Sequence, residues 1–221
     1  SYRPYDSRSC FFGPEFMDYP RRELVDHVAF SNNICLGVGR SGNAIPERPW
    51  ELVAVASKPL DANFYARGGV NAFPMFLYDD NLQSENLSSD FRTFVDAFYS
   101  HHYGPEEILG YIYAVLHSPA YRVRYAEFLR IDFPRIPFSE KRDHFDSLSK
   151  LGWDLVHVHL LKKKPRLKLG RYHGRGNDEI EAVRYSPQEQ AIHINKTQYF
   201  ALVPEDVWNT HIGGYCVLEN Y

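Results

Sequence analysis

The chain has 221 residues, 44% hydrophobic and 24% charged, which is a globular composition with enough length for one large domain or two small ones. No apolar run reaches 18 residues and no signal-peptide pattern is present, which excludes a membrane-spanning helix and leaves no membrane partner to expect. The net charge of −3 argues, as an average, against a nucleic-acid partner.

The first 20 residues read as extended, punctuated by Pro4, Gly13, Pro14 and Pro20. Ser1-Tyr2-Arg3-Pro4 reads as the interior of a longer protein. A short helix is expected over Arg21 to Phe30, carrying Leu24, Val25 and Val28. From Asn33 to Gly39, Ile34, Leu36 and Val38 alternate at strand spacing. Trp50 to Ala56 and Ala72 to Tyr78 are further strand candidates, separated by a polar loop from Asp61 to Gly69. Asp79 to Ser89 reads as a loop ending in a Ser88-Ser89 cap, before a helix with Phe91, Phe94, Val95 and Phe98 inward.

The strongest pattern runs from Pro105 to Pro137. Ile108, Tyr111, Ile112, Val115 and Leu116 draw one apolar stripe on a helix. Gly104-Pro105 starts it, with two glutamates in the first turn where the helix dipole favours them. Ser118 can cap a second helix beginning at Pro119, with Tyr121, Tyr125, Phe128 and Leu129 as its inner face. Phe133-Pro134-Arg135-Ile136-Pro137 is an extended strip. A third long helix is expected from Ser139 to about Lys163, with Phe145, Leu148, Leu151, Leu155 and Val158 on one face. Arg166 to Asn177 reads as a basic, glycine-rich loop. Ile180 to Tyr185 and Gln190 to Asn195 form a hairpin about Ser186 to Glu189, and Tyr199 to Val203 is apolar. A short helix from Pro204 is expected to end at Gly213-Gly214. The fold class is therefore α+β, with β-rich N- and C-terminal parts around a central helical bundle. The parts are 1–87, 88–163 and 164–221, together one compact domain.

Aromatics make up 15% of the chain and 16 residues are tyrosine, which suits half-buried surfaces and interfaces. Cys10, Cys35 and Cys216 are scattered and odd in number, so reduced thiols of a cytoplasmic protein are expected. Gly37 to Gly42 matches the GxGxxG spacing, but Pro46 and Pro49 deny the helix that would receive a pyrophosphate. There is no GK pair of a phosphate-binding loop, no Pro-Pro of an amino-methyltransferase motif, and no acid two residues before a lysine as in many nucleases. His101-His102 and His157/His159 lack the i, i+4 spacing of a helical metal site and read as structural histidines. No catalytic residue, metal or cofactor is expected.

Recognition remains. Lys162, Lys163, Lys164, Arg166, Lys168, Arg171 and Arg175 hold seven basic charges in a stretch with no acid. That leaves 18 of the 25 basic residues against all 28 acidic ones, a net −10 for the rest of the chain. A basic block on an acidic body is an electrostatic footprint, although lysines at a helix C-terminus are also simply stabilising there. Mobile cations and backbone amides suit phosphates. Base edges call for Arg, Lys, Asn or Gln on a rigid element at a groove edge. Candidates are Arg171, His173 and Arg175, Asn195 and Lys196 at a strand end, and Arg40, Ser41 and Asn43 in the first loop.

Several blocks resemble, in order, the C-terminal specificity region of type ISP and related single-chain restriction-modification enzymes. They are Tyr2-Arg3-Pro4-Tyr5-Asp6-Ser7-Arg8, Pro20-Arg21-Arg22, Asn33 to Arg40, Phe73 to Tyr78, His117-Ser118-Pro119-Ala120-Tyr121-Arg122, Phe133 to Pro137, and Asn195, Tyr199-Phe200, Val207-Trp208 and Ile212-Gly213-Gly214-Tyr215. The resemblance spans nearly the whole chain and implies a target recognition domain of a longer polypeptide. Such a domain binds one asymmetric site in double-stranded DNA and presents it to an upstream adenine methyltransferase domain. S-adenosylmethionine, Mg and ATP are implied for that parent enzyme only, and the region itself is expected to be non-catalytic. The resemblance assigns no individual base contact. Two other readings stand beside it: a protein-interaction or scaffold module of the same enzyme, and a degenerate enzyme domain with an unrecognised histidine site.

Overall fold

The computed structural model describes residues 1–13, 15–16, 21–29, 31–39, 50–66, 69–79, 82–165 and 167–219. Cys35–Gly39 (β1) is the central strand of a three-stranded antiparallel sheet, between Val53–Ala56 (β2) and Val70–Pro74 (β3). All five of its residues are buried. Leu36 and Val38 share one face, as the alternation predicts, and line an apolar cavity of about 390 Å³ with Ile108, Ile112 and Ile136. Gly37 lies on the other face, close against Leu60 and Tyr65. The Tyr65 hydroxyl donates to the Gly37 carbonyl at 2.8 Å. The short helix near the N-terminus is Arg22–Ala29 (α1), with Val28 as its buried residue.

The stretch from Asp79 to Ser89 is not a plain loop. Phe76–Asp79 (β4) and Leu82–Glu85 (β5) pair as a two-stranded ladder. Leu82 is 76% exposed, so no apolar alternation marks this strand. Ser88 caps the next helix, Ser89–Tyr99 (α2), by accepting from the Phe91 N–H at 3.2 Å. Its inner residues are Val95 and Tyr99, with Phe91 half-buried. Phe94 and Phe98, expected inward, are exposed and pack on each other and on neighbouring rings.

Pro105–His117 (α3) begins as expected, with the Glu107 carboxylate accepting from the Gly104 N–H at 2.8 Å. The helix is buried over most of its circumference, not along one stripe. The cause is Arg142–His159 (α6), which crosses it at two glycines. A Cβ on Gly152 would lie 1.8 Å from the Gly110 carbonyl oxygen, and one on Gly110 2.3 Å from that of Ser149. The buried positions of α6 are consequently Phe145, Ser149, Gly152 and Val156, and Leu151 is 65% exposed. The leucine-based inner face expected from periodicity is therefore turned by this close approach. The helix also ends at His159, before the lysine triplet.

Ser118 caps Pro119–Arg124 (α4), and a break at Tyr125 separates it from Ala126–Leu129 (α5). Tyr121 and Leu129 are buried, while Tyr125 and Phe128 are only half-buried. The extended strip that follows gets its hydrogen bonds from tyrosines. Hydroxyls of Tyr121, Tyr111 and Tyr99 donate to the carbonyls of Arg135, Pro137 and Ser139 at 2.8, 2.7 and 2.6 Å. A strip with two prolines cannot join a ladder fully, so side chains satisfy its carbonyls. Three of the 16 tyrosines serve this purpose inside the protein.

The C-terminal part contains a four-stranded antiparallel sheet in the order β6-β9-β8-β7, from Arg171–His173 (β6), Arg184–Ser186 (β7), Ala191–His193 (β8) and Tyr199–Ala201 (β9). The expected hairpin about Ser186 to Glu189 is β7-β8, shorter than the sequence pattern suggests. Glu205–Trp208 (α7) follows. Gly213 and Gly214 do not end that helix. With φ of 59° and 87° they turn a small hairpin between His211–Ile212 (β10) and Tyr215–Cys216 (β11). Its turn rests on Tyr65, and the Ala66 N–H donates to the Gly213 carbonyl at 2.8 Å. The β10-β11 hairpin thus packs against the segment that follows β2. None of the three cysteines is in a disulfide; Cys10 is exposed and Cys35 and Cys216 are buried.

Candidate nucleic-acid interface

The basic block is not a single loop. Its lysines sit just past α6, where Leu161 takes φ 57° and the Lys162 and Lys163 N–H groups bond back to the His157 carbonyl at 2.9 and 3.1 Å. Lys162 and Lys164 are exposed. Lys163 pairs with Asp154 at 2.9 Å, and that contact holds the Asp154 carboxyl below its usual range. Lys168 is exposed. Arg40, Ser41, Asn43 and Arg166 lie outside the described residues, as does the rest of the GxGxxG match beyond Gly39.

Arg171 and His173, expected in a loop, stand on strand β6. Pairing with Tyr199–Ala201 organises this segment, a long-range match that charge and glycine content conceal. Both residues are exposed. Because side chains alternate along a strand, Arg171 and His173 emerge on one face and Tyr172 on the other. Register then puts His173 opposite Tyr199, Tyr199 opposite His193, and His193 opposite Arg184. The rings confirm the shared face: His173 stacks on Tyr199 with centroids 5.2 Å apart, and so does His193 at 5.2 Å. The opposite face carries Tyr172, Phe200, Ile192 and Tyr185, the last stacked on Trp208.

The segment after β6 is held from below. Gln198, fully buried, bonds through its amide nitrogen to the Tyr172 hydroxyl and to Asp178 at 2.5 Å, and accepts from the Asp178 N–H at 3.3 Å. Hydrogen bonds from Tyr172 and Gln198 keep the Asp178 carboxyl below its ordinary pKa. The Thr197 hydroxyl donates to the Arg175 carbonyl at 3.1 Å, fixing the backbone that carries the exposed Arg175. Asn195 belongs to this scaffold. Its oxygen accepts from the Thr197 and Gln198 N–H groups at 3.0 and 2.8 Å, and its nitrogen donates to the Glu179 carbonyl at 3.0 Å. Its amide is thereby occupied inside the protein. Lys196, beside it, is exposed.

The structure therefore brings Arg171, His173, Arg175 and Lys196 together on one small sheet and its turns, and sets the lysine triplet apart at a helix end. Sequence reasoning missed Arg184, His193 and Tyr199. The hairpin about Ser186 to Glu189 already pairs Arg184 with His193, so counting outward from that turn finds both. Glu189, in the turn, accepts from His193 Nε2 at 2.8 Å and is lowered in pKa by that contact.

The four histidines weighed as metal ligands have structural partners. His101 packs on Tyr103, His102 pairs with Asp96 at 2.8 Å, His157 contacts the Trp153 carbonyl and His159 the Tyr113 hydroxyl at 2.6 Å. Among the described residues, no three His, Cys, Asp or Glu side chains stand close enough to hold a metal. None of the described helices is long and apolar enough to cross a membrane.

Three solved structures share this fold. One is the cryo-EM structure of a DrdV–DNA complex, with TM-score 0.76 and 21% identity over 97% of this chain and 22% of that one. A second is the ATP-dependent Type ISP restriction-modification enzyme LlaBIII bound to DNA, with TM-score 0.77 and 17% identity over 100% and 15%. The third is a nuclease-deletion mutant of the Type ISP enzyme LlaGI with a DNA substrate mimic, with TM-score 0.62 and 23% identity over 87% and 17%. The chain thus spans about a fifth of the length of these proteins. No curated protein matches it. The family model of the Type ISP C-terminal specificity domain matches residues 1–221, and the chain belongs to that family.

Proposed function

We propose that this domain recognises one asymmetric sequence in double-stranded DNA and presents it to an adenine methyltransferase region of the same polypeptide, in the cytoplasm. The observation that carries the reading is the segregation of exposed basic residues from an otherwise acidic chain: Lys164 and Lys168 lie between α6 and β6, and Arg171 and Arg175 stand on β6 and the turn after it, where the Thr197 hydroxyl holds the Arg175 carbonyl. Exposed cations can hold phosphates, and phosphate contacts set register on a duplex. The solved relatives are DNA complexes, which agrees with the reading. In this proposal the domain itself performs no chemistry and binds no cofactor. S-adenosylmethionine, Mg and ATP act in other parts of the polypeptide. A second role, docking on a neighbouring region, is favoured by the exposed Phe94 and Phe98 pair on α2.

Selection from a randomised duplex library at two salt concentrations tests the main reading. One asymmetric motif should be enriched. Changing Lys164, Lys168, Arg171 and Arg175 to Ala should weaken binding and flatten the log affinity against log salt line by about 0.9 per lost phosphate contact. No motif, with affinity untouched by the four changes, refutes it.

A further inference from the structure

The exposed face of the C-terminal sheet carries one row that crosses all four strands: His173 on β6, Tyr199 on β9, His193 on β8 and Arg184 on β7. Arg171 stands two residues from His173 on the same edge strand and the same face. Among the described residues no carboxylate pairs with Arg171 or Arg184, in contrast to Lys163. The stack fixes how the rings stand. Tyr199 lies between the two imidazoles with interplanar angles of 15° and 29° and centroid spacings of 5.2 Å, close to the strand spacing of about 4.8 Å. The stacking axis therefore runs across the strands. The rings stand upright on the sheet and turn their edges outward. His193 Nε2 is taken by Glu189, whereas His173 is exposed and offers its ring edge to solvent.

We infer that this sheet face lies across a groove of duplex DNA, with Arg171 and Arg184 on the phosphates at its two sides and the His173 imidazole on a base edge between them. The inference rests on the DNA-recognition reading above and names the residues through which it works. The dimensions agree. Three strand spacings separate β6 from β7, about 14 Å, against a major groove of about 12 Å. Arginine suits phosphate oxygens at such positions because it stays charged and presents several donors in a fixed fork. An imidazole edge can donate to or accept from the groove edge of a purine. The Tyr199 stack holds His173 in one orientation, so little rotamer freedom is lost on binding.

The test uses the motif selected by the protein, the same duplex with single base substitutions, and a salt series. Arg184→Ala should weaken all duplexes alike and reduce the salt slope by about 0.9. His173→Ala should leave the slope unchanged and lower discrimination at one base pair about tenfold. Arg184 and His173 are exposed, so thermal unfolding of both variants should match the parent. If the parent selects a motif and the lysine-arginine variant loses slope, yet Arg184→Ala keeps the parental slope or His173→Ala keeps the parental discrimination, the sheet face is not the reading surface. If the parent selects no motif, the recognition reading itself falls, and this inference with it.

Discussion

Gly152→Ala tests the packing on which the whole arrangement of helices depends. In an isolated helix the change is favourable by about 1 kcal/mol, because glycine is the poorer helix former. Here the added methyl would lie 1.8 Å from the Gly110 oxygen, 2.7 Å from the Gly110 carbonyl carbon and 2.8 Å from the Ala114 nitrogen. All three are backbone atoms that no rotamer change can clear. Ordinary contact needs about 3.5 Å, so α3 and α6 must move apart by about 1.5 Å. That would loosen packing among Ile108, Tyr111, Phe145 and Val156, which are nearly fully buried, and lengthen the 2.7 Å bond from the Ser149 hydroxyl to the Glu107 carbonyl. Overpacking of this kind costs about 3 kcal/mol, which leaves a net loss of about 2 kcal/mol after the propensity gain. For a chain of this size the midpoint of thermal unfolding should fall by about 4–8 °C. Leu151→Ala on the exposed side of the same helix is the control and should change little. Calorimetry or circular dichroism reads both. Gly152→Ala with an unchanged or raised midpoint would mean that α3 and α6 do not cross at the glycines, and the account of the core would be wrong.

His117 supplies a pH prediction. Burial first, then nearby Arg122 and His159, lowers its pKa from 6.5 to about 3. The folded protein therefore keeps it neutral while the unfolded chain takes up a proton below about pH 6.5, so its contribution is fully present above that value and is lost as the pH falls toward 3. Urea titrations at pH 7 and pH 5 should show a fall in stability about 2 kcal/mol smaller for His117→Gln than for the parent. Equal falls would contradict it. The thiols give a second check, read with a chromogenic disulfide under native conditions. Exposed Cys10 should react at once, whereas Cys35, whose pKa burial pushes up to about 12, and buried Cys216 should react only after denaturant is added. Rapid modification of all three in the folded protein would contradict the burial described.

Local chemistry is legible in the sequence. Periodicity and caps place α3 from Gly104 onward and the starts of α2 and α4 at Ser88 and Ser118, because a cap is an exchange between residues three apart. Alternation finds Leu36 and Val38 on one face of β1, and the turn residues find the β7-β8 hairpin. The ordered blocks of resemblance point to the family. Distant partners decide the rest. The face that α6 buries follows from Gly152 meeting Gly110, 42 positions away, whereas apolar counting favours Leu151. Arg171 and His173 look like loop because their strand exists only through Tyr199 to Ala201. Asn195 looks available for a base and is occupied by its own turn and by Glu179. Composition also hides the purpose of the tyrosines, three of which satisfy the carbonyls of a proline-containing strip. Most helices and strands, and the gathering of positive charge near the C-terminal part, follow from the order of residues alone, since both depend on near neighbours. Which side chains share a surface follows only from the folded chain, because strand register and helix crossing are set by pairs of residues far apart in the sequence.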